Sequence, residues 1–285
     1  MDKEQMAIER LKVASEMSLS YYEQPMIICY SGGKDSDCLL ELARRSGVPF
    51  IVQHSHTTVD APQTVNHVRK VFRQLELDCI KTIYTMPKLT MWQLIVKKKM
   101  PPTRLVRYCC SELKENFGKN MHIVTGVRKS ESNSRKSRCV YENFTKDKND
   151  RIYLDDNDES RRLTEICAKQ GKTTTNAIID WTDAEVWDFL EDAKTECNPL
   201  YEMGFCRVGC VGCPMAASKK RWKEFEMFPT YKRAYIRSFD KMLEARKASG
   251  LESIPQWNTG ENVFRWWMEE KFIPGQMTLD DLIET

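Results

Sequence analysis

Residues 26–36 read Met-Ile-Ile-Cys-Tyr-Ser-Gly-Gly-Lys-Asp-Ser. An apolar run ends abruptly at two glycines, and an amphipathic run, Asp37–Ser46, follows. This order predicts a strand, a tight turn and a helix. Glycines let a backbone approach a ligand closely, and the unpaired amides that open a helix favour an anion. With the charge of Lys34 and the hydroxyls of Ser31 and Ser36, the segment predicts a phosphate-binding loop. The alternative is a chance glycine turn.

Around this loop, apolar and amphipathic runs alternate along the first half of the chain. We expect strands at 49–53, 79–84 and 121–127, and helices at 3–22, from after Thr64 to about Leu75, and at 90–99. This alternation predicts an α/β fold, with a parallel, doubly wound sheet of about five strands and a C-terminal helical region. Polar clusters follow three strands, at 31–36, 54–60 and 125–135. Ligands bind beyond the carboxyl ends of such strands, so we expect one shared site there.

The second half of the chain has weaker patterns. Residues 130–150 and 173–176 are polar and predict loops, the first a candidate lid. A capping box at Thr182 opens a helix that ends near Ala193. Three further helices are expected at 219–249, 258–272 and 278–283, the first of them long and basic. Its aromatics would either stack nucleic-acid bases or pack internally, and they are Trp222, Phe225, Phe228, Tyr231 and Tyr235.

Composition limits the function class. The 285 residues carry a net charge of +3, which gives no global signal for nucleic acid. The charged start resembles no signal peptide and no apolar run is long enough to cross a bilayer, so we expect a cytoplasmic protein with no membrane partner. Without a secretory signal, eleven cysteines favour metal binding or thiol chemistry over disulfides.

Six of the eleven cysteines can be interpreted from their local sequence. Four lie on apolar runs and are expected in the core: Cys29, Cys38, Cys79 and Cys167. Cys210 and Cys213 have a common two-ligand spacing, and Gly212 allows a tight turn between them. An iron–sulfur cluster, a zinc ion and buried reduced thiols all stay open as interpretations of that pair.

Several segments resemble a known family. Residues 31–36 resemble the pyrophosphate loop of the ATP alpha-hydrolases. Residues 107–114, 125–135, 178–187 and 198–214 resemble, in the same order, segments of iron–sulfur adenylyl-sulfate reductases. The chain is identified as a member of the phosphoadenosine phosphosulfate (PAPS) reductase-like family, in its iron–sulfur branch. The resemblance implies a domain at 25–214, an N-terminal helix at 1–24 and a C-terminal helical extension at 215–285.

The resemblance also implies ligands. It implies an adenine nucleotide, either ATP or a sulfonucleotide, together with Mg²⁺. It implies a 4Fe–4S cluster on Cys109, Cys110, Cys210 and Cys213, with Cys197 and Cys206 in reserve. The expected nucleotide-binding residues are Ser31, Gly32, Gly33, Lys34, Asp35, Ser36, Thr58, Gly126, Arg128, Glu131 and Arg135.

Lys34, Asp35 and Arg128 are also catalytic candidates. Lys34 would neutralise phosphate, and Asp35 would ligate Mg²⁺ or cap the helix. Arg128 and Arg135 would contact phosphate or sulfate oxygens, unless they belong to a solvated loop. Glu131 would hold an arginine or Mg²⁺. The histidines of the 54–60 cluster, His54 and His56, are interpreted as pocket lining rather than as metal ligands.

One departure from the family affects the expected reaction. Its reductases attack the sulfonucleotide with a C-terminal Glu-Cys-Gly cysteine, and no cysteine follows Cys213 here. We therefore expect an ATP pyrophosphatase-type enzyme that couples cleavage between the alpha and beta phosphates to sulfur transfer next to the cluster. The expected partners are a sulfur donor, either a cysteine desulfurase or a thioredoxin-like protein, and a nucleic-acid acceptor.

Two alternatives remain. The first is a reductase that forms sulfite from adenylyl sulfate or PAPS, with Cys139 as a catalytic candidate that replaces the usual nucleophile. Cys139 lies in a basic loop, where cations favour the thiolate, although an ordinary loop cysteine is the simpler interpretation. The second is a non-catalytic nucleotide-binding accessory protein.

Overall fold

In the computed structural model, residues 2–114, 117–118, 120–144, 153–154 and 172–269 are described. Packing divides the chain into two compact units. The first unit is Met1–Pro87 with Glu112–Gly209, and the second unit is Lys88–Ser111 with Cys210–Thr285. The domain limits expected from the sequence stay a prediction. Within the described residues, no helix is both long and apolar enough to span a membrane.

The first unit contains one sheet of seven strands. They are β1 Met26–Cys29, β2 Phe50–Ser55, β3 Thr82–Thr85, β4 His122–Val124, β5 Tyr141–Phe144, β6 Tyr153–Leu154 and β7 Lys172–Thr175. Their order is β3-β2-β1-β4-β7-β5-β6. The first five in this order pair in parallel, whereas β5 runs antiparallel to both β7 and β6. The α/β prediction is confirmed, and β5 and β6 extend the expected parallel sheet through antiparallel pairs.

Nine helices of four residues or more are present among the described residues. They are α1 Lys3–Tyr22, α2 Lys34–Ser46, α3 Pro62–Leu77, α4 Met91–Lys98, α5 Tyr108–Leu113, α6 Asp183–Asp192, α7 Ser218–Met227, α8 Pro229–Ala248 and α9 Gly260–Glu269. The parallel strands have apolar side chains on both faces. Ile28, Val52 and Val124 join one buried cluster, and Ile27, Ile51 and Ile123 form another. Because alternate strand residues point to opposite faces, the sheet buries both sides, as a doubly wound fold requires.

The prediction of a polar break at 173–176 was wrong. These residues form most of β7, which lies beside β4 near the middle of the sheet. Threonine is β-branched and suits a strand, and its hydroxyl needs a partner when it is buried. His122 bonds the hydroxyls of Thr173 at 2.7 Å and Thr175 at 2.8 Å through its two ring nitrogens. The hydrogen bonds from a histidine on the neighbouring strand therefore allow these threonines to be buried.

Two other sequence predictions need correction. The loop expected at 130–150 contains strand β5 and two short 3₁₀ turns, Lys129–Glu131 and Asn133–Arg135. Residues 145–150, like the helix expected at 278–283, lie outside the described residues. The long helix expected at 219–249 is two helices, because Pro229 lacks the amide proton that would continue α7 and instead begins α8.

The core prediction for the cysteines holds only in part. Cys38 is fully buried, and Cys29 is half-buried. Cys79 is exposed, so its placement in the core was wrong. It lies in the turn between α3 and β3 with φ +59°, where its apolar sequence neighbours misled the prediction. Cys167 lies outside the described residues.

Candidate nucleotide and metal sites

The turn between β1 and α2 has the geometry of an anion-binding loop. Gly32 has φ +74°, and a Cβ there would lie 2.8 Å from Val68 Cγ2, so both the backbone and the space require glycine. The Ser36 hydroxyl accepts from the Gly33 amide at 3.1 Å and donates to the Gly33 carbonyl at 2.7 Å. Helix α2 begins at the next residue, Lys34, whose amide donates to the Tyr201 hydroxyl at 2.8 Å. The loop therefore presents backbone amides at a helix start, where negative charge is favoured.

Two buried cations lie at the head of α2. Lys34 is 5 % exposed and Arg128 is 2 % exposed. Lys34 Nζ lies 3.1 Å from Asp35 Oδ1 and 2.8 Å from Asp183 Oδ1. Arg128 contacts the same two oxygens, through Nε and Nη2, at 2.8 Å each. Each carboxylate thus bridges both cations, and the four side chains form one closed network.

The network shifts the pKa of two of its members. Burial alone would lower the pKa of Arg128, but the carboxylates of Asp35 and Asp183 raise it overall. Burial would likewise raise the pKa of Asp183, but hydrogen bonds from Lys34 and Arg128 lower it overall. The site is therefore held as charged groups, which are suited to a polyanionic ligand.

Strand β4 delivers Arg128 to the loop by way of Gly126. A Cβ on Gly126 would lie 2.8 Å from the carbonyl oxygen of Asp35, so only glycine allows this approach of the two backbones. Arg128 Nη1 also donates to Ser130 Oγ at 2.9 Å. The segment after β4 thus meets the segment after β1, as expected for neighbouring parallel strands.

Four cysteines come together in the second unit. Cys109 and Cys110 lie at the start of α5, and Cys210 and Cys213 lie before α7. The pKa of Cys109 is raised, first by its hydrogen bond with Cys110, then by burial and the charges of Cys110, Cys210 and Cys213. Cys109 therefore lies within electrostatic range of the other three thiols. Arg104 Nε donates to the Pro214 carbonyl at 3.1 Å and ties the two segments together.

The loop around the second cysteine pair is fixed by aromatic packing. Gly212 has φ +72°, and a Cβ there would lie 2.4 Å from Phe225 Cζ. Its amide donates to Glu224 Oε2 at 2.8 Å. Tyr235 is buried, and its hydroxyl donates to the Val211 carbonyl at 3.1 Å. Burial, followed by the charges of Cys210, Cys109 and Cys213, raises the pKa of Tyr235, which keeps this phenol neutral.

The thiol set fits a metal group. Thiolates held close together repel one another, and a bound cationic centre relieves that repulsion. Four cysteine thiolates are a ligand set that suits either an iron–sulfur cluster or a zinc ion.

A family model for the phosphoadenosine phosphosulfate reductase domain matches residues 25–216. The chain belongs to this family. A relative in Bacillus cereus, an adenosine 5'-phosphosulfate reductase, is 24% identical over 212 residues, which cover 70% of this chain and 79% of the relative. The adenine-nucleotide-binding fold of the PAPS reductase family is thus the fold of this chain.

Two uncharacterized proteins of Methanocaldococcus jannaschii are also similar. One is 23% identical over 286 residues, covering 94% of this chain and 60% of the relative. The other is 28% identical over 218 residues, covering 71% of this chain and 39% of the relative. This chain therefore spans less than two thirds of the length of each.

Solved structures show weaker similarity. The PAPS reductase of Candida auris, in a phosphate complex, has a TM-score of 0.47 and 15% identity, covering 72% of this chain and 87% of that one. The U34-tRNA thiolase of Methanococcus maripaludis, with its 4Fe–4S cluster, has a TM-score of 0.43 and 12% identity. That match covers 87% of this chain and 80% of the thiolase.

Glu131, Arg135 and Thr58 are the other site residues that the family resemblance implies. Glu131 Oε1 accepts from the Arg128 amide at 3.1 Å and forms an ion pair with Arg135. Arg135 thus adjoins the turn that carries Arg128, with its charge already partnered. Thr58 lies in the turn after β2 with φ +65°. The nucleotide contacts of Arg135 and Thr58 stay predictions.

Cys139 lies in a different environment from the one its sequence indicates. Its neighbour Arg138 forms an ion pair with Glu142, a carboxylate that is 1 % exposed. The amide of Cys139 donates to the same carboxylate at 3.1 Å. Because Glu142 offsets the nearest cation, the basic sequence around Cys139 overstates how far a thiolate is favoured.

Sequence reasoning missed three residues of the nucleotide site. Asp183 was assigned only to the capping box of α6, yet it pairs with Lys34 and Arg128. Tyr201 contacts the Lys34 amide, and Asn198 Nδ2 donates to the Gly32 carbonyl at 2.8 Å. All three lie in segments that resemble the family, which was the available signal. Without tertiary distances, nothing in those segments indicated that they touch the loop.

The end of β2 and the turn after it hold a third polar group, formed by His54, His56 and Asp60. His54 Nδ1 lies 2.9 Å from the Tyr30 carbonyl, and His56 Nδ1 lies 3.2 Å from Asp60 Oδ2. Burial is the main cause that lowers the pKa of His54. Burial opposes ionisation of Asp60, but hydrogen bonds from His56 and Thr57 lower its pKa to about 2. The nucleotide site does not account for this group.

Proposed function

We propose that the chain binds ATP, cleaves it between the alpha and beta phosphates, and couples this cleavage to sulfur transfer with the help of a 4Fe–4S cluster. One observation carries the proposal. At the head of the phosphate loop, the two buried cations Lys34 and Arg128 alternate with the carboxylates Asp35 and Asp183. Cations suit a polyphosphate, and carboxylates suit the Mg²⁺ that accompanies it.

The network supports a preorganised mechanism. Lys34 and Arg128 are held before the nucleotide arrives, so the reaction does not have to reorient them. An acceptor oxygen would attack the alpha phosphorus while the bond to the alpha–beta bridging oxygen breaks. Pyrophosphate would leave with that electron pair, and its charge would be balanced by Lys34, Arg128 and the loop amides. Asp35 and Asp183 would hold Mg²⁺, which would supply further charge neutralisation.

In the proposed second step, a sulfur nucleophile displaces AMP from the adenylated acceptor. The carbon–oxygen bond to AMP breaks, a carbon–sulfur bond forms, and AMP leaves as its anion. Cys109, Cys110, Cys210 and Cys213 would hold the cluster, which supplies iron with affinity for sulfur. The sulfur donor, either a cysteine desulfurase or a thioredoxin-like protein, and the nucleic-acid acceptor are parts of the proposal.

Reduction of a sulfonucleotide is the second candidate. The observation that favours it is the similarity to an adenosine 5'-phosphosulfate reductase over 70% of this chain. In that reaction a thiolate attacks the sulfate sulfur and AMP leaves, and a second thiol then releases sulfite as a disulfide forms. Cys139 is the candidate nucleophile, and a thiol of a thioredoxin-like partner would resolve the intermediate. Replacing Cys139 by serine must then abolish sulfite release, and full activity would exclude this role.

A product assay separates these functions. Anaerobically purified protein is given ATP, adenylyl sulfate or PAPS, with bulk tRNA or DNA as acceptor and dithiothreitol as reductant. We expect pyrophosphate from ATP that increases with acceptor, and no sulfite. Sulfite from either sulfonucleotide without pyrophosphate from ATP would establish the reductase instead. Submicromolar nucleotide binding with neither product would identify the accessory protein.

A further inference from the structure

The side chains of His54, His56 and Asp60 converge where β2 ends. One potential ligand atom from each lies within 4.8 Å of the other two. Within the described residues, this is the single trio of histidine, cysteine or acidic side chains that comes so close. Asp60 Oδ2 accepts from the Thr57 amide at 2.7 Å, so the turn itself fixes the carboxylate. The position of the Asp60 carboxylate is thus set by the backbone of the turn and does not depend on a flexible side chain alone.

His54 has an unsatisfied nitrogen. Its ring is 3 % exposed, and its Nδ1 lies 2.9 Å from the Tyr30 carbonyl. A carbonyl only accepts, so the proton is on Nδ1 and Nε2 presents a lone pair. That Nε2 is buried and has no hydrogen-bond partner. A buried polar atom without a partner needs an explanation, such as an ion that binds there. An Nδ1 proton donated to a carbonyl is also how metal-binding histidines are commonly oriented.

His56 and Asp60 complete the group from the more open side. The His56 side chain is 17% exposed and that of Asp60 is 9% exposed, so an ion has access from His56. Tyr84 stacks on the His56 ring with centroids 5.8 Å apart, and its hydroxyl lies 3.1 Å from His56 Nδ1. The rings of His54 and His56 are therefore held in place before any ion arrives. Lys114 acts electrostatically on His54 and Asp60, and a bound cation must outweigh that charge.

We propose that His54, His56 and Asp60 bind a divalent first-row transition metal, with Zn²⁺ as the best match. Two imidazoles and one carboxylate form the donor set of open zinc sites, which leave a position for water or another ligand. Oxygen-preferring ions such as Mg²⁺ fit two imidazoles poorly. The sequence-based interpretation of these histidines as pocket lining is replaced by this proposal.

Cobalt substitution tests the site in the presence of the cysteines. Co²⁺ on nitrogen and oxygen ligands gives visible d–d bands without the near-ultraviolet charge-transfer band that thiolate ligands produce. We expect anaerobic cluster-loaded protein to bind one Co²⁺ of this kind per chain, and Zn²⁺ to displace it. His56→Gln and Asp60→Asn should each weaken this binding at least tenfold. His122→Gln is the matched control, because His122 is buried in β4 on threonine hydroxyls.

A measurement on the unmodified chain tests the site even if the variants fail to fold. The chain has four histidines, so their ring nitrogens can be followed individually by ¹H–¹⁵N NMR. Zn²⁺ should shift one nitrogen each of His54 and His56, and leave His67 and His122 in place. The proposal is overturned if Co²⁺ gives no thiolate-free spectrum, if folded variants match the wild type, or if the His54 and His56 signals do not move.

Discussion

At the residue scale, the nucleotide site depends on charges that are paired before the ligand arrives. Lys34 and Arg128 share Asp35 and Asp183, so removing one member leaves the others unbalanced. A hydrogen bond to a charged group contributes about 1.5–3 kcal/mol, which corresponds to roughly 10–150-fold in an equilibrium constant.

Lys34→Met should therefore raise the Kd for ATP by about 10–100-fold. It removes the charge but keeps the apolar stem that packs in the buried position. Lys12→Met is the matched control, because Lys12 is exposed on α1 and pairs only with Glu9 in the described contacts. Equilibrium binding of a fluorescent ATP analogue measures both variants. An unchanged Kd in folded Lys34→Met protein would contradict the assignment of the loop.

Gly126→Ala should weaken both folding and nucleotide binding. The added Cβ would meet the Asp35 carbonyl at 2.8 Å, and overpacking of this kind costs about 1–3 kcal/mol. Gly209→Ala is the control, since a Cβ there meets nothing within 4 Å. Thermal denaturation with and without ATP gives both effects. Equal melting temperatures for the two variants would show that the strand end and the loop are not held so closely.

The phosphate loop could be predicted because its glycines, lysine and serines are contiguous. Asp183 could not, because it lies 148 positions after Asp35 and has an adequate local explanation as the first residue of α6. For Cys139, the neighbouring cations are visible in the sequence, but the pairing of Arg138 with the buried Glu142 is not, because it depends on tertiary structure. The catalytic role of Cys139 stays a prediction.

At the element scale, helix α1 packs apolar residues into the core and also contributes one buried arginine. Arg10 is 4 % exposed and its Nη1 lies 2.8 Å from both Asp180 Oδ1 and the Ala177 carbonyl. Burial opposes ionisation of Asp180, but Arg10 lowers its pKa overall. A carboxyl with a lowered folded-state pKa adds stability above its unfolded pKa, about 3.9 for Asp, and loses it as acid protonates the folded form.

Asp180→Asn should lower the free energy of unfolding by about 1–3 kcal/mol at neutral pH, because buried Arg10 loses its charged partner. The difference from wild type should shrink as the pH falls below about 4. Urea denaturation at neutral and acidic pH measures this. Asp188→Asn, on the exposed side of α6, should show no such difference at any pH. A difference in the free energy of unfolding that grows in acid would contradict the role assigned to the Arg10–Asp180 pair.

Elements with clear apolar periodicity were predictable, and β1, α2 and α3 follow the expected order. Strand β7 was not, because Thr173–Asn176 reads as polar and the balancing His122 lies on another strand. The aromatics of α7 and α8 were left open between base stacking and packing. Phe225 and Tyr235 are buried, with ring centroids 5.6 Å apart, so these two serve packing.

At the scale of the whole molecule, the cysteine set joins segments that are a hundred positions apart within the second unit. A group bound on four thiols stabilises the folded form that assembles them. The segments that carry the cysteines are also linked by a hydrogen bond from Trp267 Nε1 to the Pro102 carbonyl at 2.6 Å.

Cys210→Ser should therefore lower the iron content and raise amide hydrogen exchange in α4, α8 and α9, with little change in β1, β2 and β4. Cys79→Ser, which changes an exposed thiol of the first unit, should leave both unchanged. Iron analysis and exchange mass spectrometry measure the two effects. Full iron content in Cys210→Ser would remove Cys210 from the ligand set.

The Tyr201 hydroxyl occupies the Lys34 amide, one of the donors that a phosphate would use. The same ring meets Trp187 edge-on, with centroids 4.9 Å apart. A nucleotide that took over the amide would release the phenol and change the surroundings of the Trp187 indole. We expect this change to alter the intrinsic fluorescence, so that arrival of the ligand can be timed in a stopped-flow instrument without any label.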